Sequence, residues 1–264
     1  MRSNAVFWAT ILIVVGFVLL LGNLGLLSVS WALVWPLLII AFGAWLIWGA
    51  VAAPRRQLGT EDVSIPLGGA ARAEIRIDHG AGVLRLSSGA AADVLATGTF
   101  AGAMDYRTSR NGDTLNLRMR IPRHEWPFGP WGWTGGFDWD MRLNGQVPLQ
   151  LRVDGGASKT ELNLVDLLVT DLRLDTGASV TQVTLPAHAG RTTVKVEAGA
   201  ASVEIDVPGG VAARIRTSGG LAAIDVDTTR FPGSGGLFQS PDFDTAANRI
   251  EMKIETGIGA VKVR

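Results

Sequence analysis

The chain contains no cysteine. That absence excludes disulfide staples, thiolate catalysis and cysteine-ligated metal sites. It does not choose a compartment, because disulfide-free proteins occupy both sides of a membrane. Charge is nearly missing from the N-terminal region, where residues 1–56 carry Arg2, Arg55 and Arg56 and no other charged side chain. The remainder holds 21 of the 24 basic residues against all 24 acidic ones, a net charge of about −3. There is no basic stripe or arm, which argues against nucleic-acid binding. No HExxH, GxSxG, GxxxxGK[ST] or strand-linked dinucleotide fingerprint occurs, and His79, His124 and His188 stand far apart in unrelated contexts. No cofactor or metal site is legible.

What the N-terminal region has in place of charge is two long apolar runs. Residues 5–27 include Asn23 as their one strongly polar member, and residues 31–53 carry no charge. Each run is 23 residues long. A hydrocarbon core of ~30 Å at ~1.5 Å per residue can be crossed by either. A signal peptide would have a shorter apolar stretch and a small-residue cleavage site. The reading is therefore a two-helix transmembrane hairpin, residues 1–56, joined by Ser28, Val29 and Ser30 and seated in the bilayer through residues 5–53. Trp8, Trp31 and Trp48 fall near the segment ends, where indole favours the interface. All three arginines lie outside the hairpin loop, so the positive-inside rule places both ends in the cytoplasm.

After a polar linker at residues 57–62, period-2 alternation takes over and no helical period appears. Residues 63–264 read as an all-β repeat domain. A unit of apolar–x–apolar–acid–x–Gly recurs from Ile75 (IRIDHGAG), Leu151 (LRVDGGAS), Leu172 (LRLDTGAS), Val194 (VKVEAGAA) and Met252 (MKIETGIG). A weaker copy starts at Ala213 (ARIRTSGG), with Arg216 in the acid's place. The second apolar residues, Ile77, Val153, Leu174, Val196, Ile215 and Ile254, are separated by 76, 21, 22, 19 and 39 residues. The first and last gaps leave room for diverged copies. A period near 20 predicts stacked units that share one continuous core. The expected fold is a β-solenoid or a stack of β-arches, with a β-sandwich as the alternative. Each Gly is expected to provide either positive φ or close backbone approach. The stack's ends need protection, for which residues 62–67 and 228–247 are candidates.

Residues 124–140 (HEWPFGPWGWTGGFDWD) form an aromatic insertion with four glycines and two prolines, a loop by composition. Trp126, Phe128, Trp131, Trp133, Phe137 and Trp139 are candidate contacts for a protein partner or a membrane surface. The competing reading is that these rings fold back over the open side of the stack. Stacking against a sugar is a third. The repeated acids Asp78, Asp154, Asp175, Glu197 and Glu255 could form a carboxylate ladder able to hold Ca²⁺ or activate water. Alternation points them to solvent instead, where an acid before a glycine turn accepts backbone hydrogen bonds.

Two resemblances follow from these residues. Residues 8–48, with Ile13, Gly16, Asn23-Leu24-Gly25-Leu26-Leu27, Trp35-Pro36-Leu37-Leu38-Ile39-Ile40 and Gly43, resemble the transmembrane module of Lia-type cell-envelope-stress regulators. Ile65-Pro66-Leu67-Gly68-Gly69-Ala70, Ile77-Asp78-His79-Gly80-Ala81-Gly82 and the repeated Asp-Thr/Gly-Gly-Ala-Ser are similar to bacterial toast-rack and adhesin-like β-repeat domains. The resemblance implies a bacterial membrane protein with a stacked β domain and brings no catalytic residues. Three functions compete: a non-catalytic scaffold that binds an unidentified protein partner in envelope-stress signalling or membrane homeostasis, an extracytoplasmic adhesin or glycan-binding module, and a carbohydrate-active β-helix enzyme.

Overall fold

The computed structural model describes residues 59–102, 104–122 and 137–264, together with Pro36, Ile39, Ile40 and Gly43, which are helical. The expected transmembrane hairpin otherwise lies outside the described residues. Among those described, no helix is long and apolar enough to cross a membrane.

Alternating apolar residues build fourteen strands: β1 (Thr60–Pro66), β2 (Arg72–Ser88), β3 (Val94–Ala101), β4 (Asp105–Asn111), β5 (Thr114–Arg120), β6 (Trp139–Leu143), β7 (Leu149–Asn163), β8 (Val169–Thr176), β9 (Val180–Thr184), β10 (Arg191–Asp206), β11 (Ala212–Val226), β12 (Gly233–Ser234), β13 (Leu237–Gln239) and β14 (Arg249–Val263). Strands β2, β7, β10, β11 and β14 are long and turn a corner at their glycines, so each contributes one limb on either side of a bend. Strands β8 and β9 make the two limbs of one further rung. The first limbs run in the order β4-β5-β2-β7-β8-β10-β14-β11-β13-β12, and the second limbs in the order β1-β3-β6-β2-β7-β9-β10-β14-β11.

Rung-to-rung pairing is parallel and in register. This excludes the antiparallel β-sandwich alternative. Ile77, Val153, Leu174, Val196 and Ile254 form one buried row. Leu86, Leu162, Val183, Ile205, Val263 and Val226 form another on the second limb. Burying each such side chain contributes roughly 1.5–3 kcal/mol. Short connections at residues 164–168, 185–190 and 207–211 return the chain to the first limb. They bury Leu164, Leu167, Leu185, Val207 and Val211, which close the core.

All six repeat copies are therefore rungs, with two differences from the linear reading. Strand β14 lies between β10 and β11, so spatial order departs from chain order. The β11 copy is also displaced by two residues: Ile215 stands opposite Met252, Thr217 opposite Ile254 and Ser218 opposite Glu255. The acid position is thus held by Ser218, and Arg216 belongs beside Lys253. The long first gap contains a diverged rung, β5 and β6, stacked on β2. The other long gap contains no rung; its β12–β13 hairpin pairs antiparallel on the first limb of β11.

Four of the bend glycines serve close approach without positive φ. Gly156, Gly177, Gly199 and Gly257 are absent from the left-handed region, and a Cβ on each would meet the carbonyl of the glycine one rung before it. Gly156→Ala should therefore destabilise the fold by about 1–3 kcal/mol, because the obstructing atom is backbone and cannot yield. Gly209→Ala, with nothing within 4 Å of its Cβ, should not. Thermal unfolding followed by circular dichroism compares the two.

Candidate contact site at the aromatic insertion

In the chain the aromatic insertion falls between β5 and the start of β6. Strand β5 follows the first limb of β2 as far as Arg120 opposite Asp78, and β6 resumes with Trp139 opposite Leu84. In β2 the corner takes residues 79–83, whereas in this rung residues 121–138 separate the two limbs in sequence.

The returning end is held tightly. Gly82 has φ 106°, and a Cβ there would lie within 2.8 Å of the Phe137 backbone, so only glycine admits this approach. The Phe137 carbonyl stands 2.7 Å from Nε2 of His79, which donates to it in the matching tautomer. The Val83 N–H donates to Oδ1 of Asp138 (3.1 Å), and the Ala101 N–H to the Asp138 carbonyl (2.9 Å). The Trp139 indole meets His79 and Phe100 edge-on, with ring centroids 5.1 and 5.4 Å apart.

This corrects two of the expected contact residues. Phe137 is 5% exposed and Trp139 fully buried, both within the core. Trp139 opens a strand of strict alternation, WDMRL, and its inward position leaves it no outside partner. Trp126, Phe128, Trp131 and Trp133 lie outside the described residues, as does His124. His79 is 1% exposed and His188 exposed on a return connection, so these two histidines do not form a joint site.

The repeated acids form a ladder on the outer face. Asp78, Asp154, Asp175, Glu197 and Glu255 stand in register on adjacent strands, about 4.8 Å apart. Their partners are side chains rather than the expected backbone groups. Two residues earlier in each rung runs a row of cations: Arg118, Arg76, Arg152, Arg173, Lys195, Lys253 and Arg216. Arg76 donates to Asp78 (3.0 Å) and Asp154 (2.7 Å), and Arg152 to Asp154 (3.0 Å) and Asp175 (2.8 Å). Lys195 pairs with Glu197 and Lys253 with Glu255. The sequence reading missed this row, although its signal was present: a cation sits between the two apolar residues of every copy.

Burial raises the Asp78 carboxyl, but hydrogen bonds from Arg118 and Arg76 outweigh it and hold the group below the usual range. Asp175 goes the other way, pushed up by burial and by neighbouring Asp154 against the single guanidinium of Arg152. Beside the ladder runs an open groove of about 940 Å³, floored by the bend glycines. Among the described residues no group of three His, Asp or Glu side chains could hold a metal ion.

Comparison with known proteins gives this architecture its place. A sequence model of the N-terminal domain of toast_rack, also designated DUF2154, matches residues 54–206. The chain belongs to the toast-rack family. Residues 6–47 match the LiaI-LiaF-like transmembrane region, which makes this toast-rack chain a membrane protein. The crystal structure of a candidate cell adhesion protein from Clostridium sporogenes aligns with TM-score 0.69 and 17% identity, covering 78% of this chain and 98% of that one. That likeness shows a shared fold. A candidate adhesin from Bacteroides fragilis aligns at TM-score 0.24 and 12% identity over 80% of this chain and 99% of its own. No curated protein matches the chain significantly.

The His79 contact generates a pH dependence. Burial pushes the His79 pKa down, opposed by the Phe137 carbonyl and the Asp138 charge. The neutral ring is the folded form, so its stability contribution is complete above the unfolded value of about 6.5 and is lost as pH falls from there toward the depressed folded value. The thermal midpoint should fall in that window, above the range in which carboxylates ordinarily titrate. His79→Gln, which can donate to Phe137 without titrating, should cost about 1 kcal/mol at neutral pH and abolish the first phase.

Proposed function

We propose that this toast-rack protein is a non-catalytic scaffold that holds a rigid β stack beside the membrane and presents its aromatic insertion to a protein partner. The observation that carries the reading is the anchoring of that insertion. One end is fixed in register at Arg120 on β2, and the other is locked through Phe137, Asp138 and Trp139. A segment with Trp126, Phe128, Trp131 and Trp133 between two such fixed points loses less entropy on binding than a free loop, which favours recognition. Trp is also enriched among residues that dominate interfaces. The match to the LiaI-LiaF-like region supports a role in envelope-stress signalling or membrane homeostasis.

A non-catalytic role fits the chemistry of the ladder. Carboxylates shared among guanidinium and ammonium groups are held ionised, as Asp78 and Glu197 are, and serve poorly as proton donors near neutral pH. The hairpin reading, with spans at residues 5–27 and 31–53, returns the β domain to the side on which the chain starts. The arginine distribution favours the cytoplasm. The fold shared with a candidate cell adhesion protein supports the second reading, an adhesin or glycan-binding module outside the membrane.

A reporter fused after Arg264 separates the two. The scaffold reading expects activity from a cytoplasm-only reporter, and activity from a periplasm-only reporter would overturn it. A photo-crosslinking residue at Trp131 in the full chain should then capture a discrete membrane or cytoplasmic protein. Trp133→Ala should reduce that yield about tenfold or more if this ring is a dominant anchor.

A further inference from the structure

The stack has four strand edges, and three are defended. On one end, β1 carries Glu61 and Asp62 and stops at Pro66, while β4 carries Arg107 and Arg110 with nearly all its residues exposed. Charge and proline on an edge strand discourage further pairing. On the opposite end, the first limb finishes in the β12–β13 hairpin, whose outer strand is two residues long. The fourth edge is different. Residues 221–226 of β11 pair with β14 on one side and, among the described residues, with nothing on the other.

This bare edge carries one charge, the exposed Asp225, and is otherwise apolar. Leu221 is 83% exposed and Ile258, its register partner on β14, 59%. Ile224 is half-buried, whereas Val261 and Val203 in the same row are buried. The core is thus open in cross-section here. The end is also stepped, because the first limb extends two strands beyond β11 and the second limb stops there.

We propose that a second copy of this chain docks on this end of the stack. A two-fold axis that exchanges the two limbs sets the β12–β13 hairpin of each copy over the bare β11 edge of the other, so that each step is filled by its counterpart. Residues 231–241, which include the β12–β13 hairpin, contain no charged side chain, so Asp225, the one charge on the bare edge, meets no acid of the hairpin set over it. The covered surface includes Leu221, Ile224, Leu237 and Ile258. The defended edges at the other end stay free in the dimer.

The absence of native cysteine makes the test direct. Full-length Ala223→Cys and Ser234→Cys proteins in detergent micelles are treated with a short bismaleimide, separately and mixed. The mixture should give several-fold more crosslinked dimer than either protein alone. Adding Ile224→Lys to the Ala223→Cys protein should cut that yield about tenfold or more, since docking would bury an unpaired ammonium. Circular dichroism of the same sample checks that the β domain is folded, and Arg107→Glu at the opposite end should change nothing. A mixture that crosslinks no better than its components overturns the proposal, as does a yield that survives Ile224→Lys in the folded protein. The crosslink readout at Ala223 and Ser234 stands whether or not the lysine variant folds, and a dimer held elsewhere in the chain would not produce it.

Discussion

Parallel, in-register pairing places every residue of a rung against its equivalents in the rungs above and below, about 4.8 Å away. Each position of the repeat must therefore tolerate itself as a neighbour. Apolar positions meet this readily and produce the buried rows through Ile77 and Leu86. Acidic positions do not, because a column of bare carboxylates at that spacing would repel. The row of cations two residues away resolves the conflict. Arginine is long enough to reach the acid of its own rung and that of the next, as Arg76 and Arg152 do. At the corner the rule becomes steric, and only residues without a side chain let carbonyl and Cα pass so closely.

The same constraint explains what could be read from the sequence. Self-compatibility leaves a repeated signature, so the rungs, their bends and the stacked architecture were legible from Ile75, Leu151, Leu172, Val194 and Met252 onward. Neighbour relations leave no such mark. Nothing local distinguishes a strand that stacks on its predecessor from one that enters an earlier gap, so the place of β14 was invisible. The register of β11 misled because Ala213-Arg214-Ile215-Arg216 imitates the apolar–x–apolar start two residues early. Pairing to β14 decides in favour of Ile215-Arg216-Thr217-Ser218.

The candidate site was partly legible. Its location was clear from composition, but its boundary was not, because Trp139 belongs at once to an aromatic cluster and to the alternation Trp139-Asp140-Met141-Arg142-Leu143. The structure resolves this in favour of the strand. His79 was unreadable for a related reason. Its place in the repeat is taken by Gly155 on the next rung, and a small neighbour there lets an imidazole lie inside the corner. Only the three-dimensional row reveals that pairing of large with small.

The insertion of β14 between β10 and β11 bears on the order of events during synthesis. Strands β5 to β10 can each pack on a partner already made. Strand β11 cannot, because its parallel neighbour is absent until residues 249–263 have followed it. At roughly 5–20 residues per second, the newly made β11 waits on the order of seconds with both faces unpartnered. The early β12–β13 hairpin, which pairs on the first limb of β11 without requiring β14, is available as a temporary clasp during that interval. The far end of the stack thus closes as a late, nonlocal step, while the end that begins with β1 can be complete long before it.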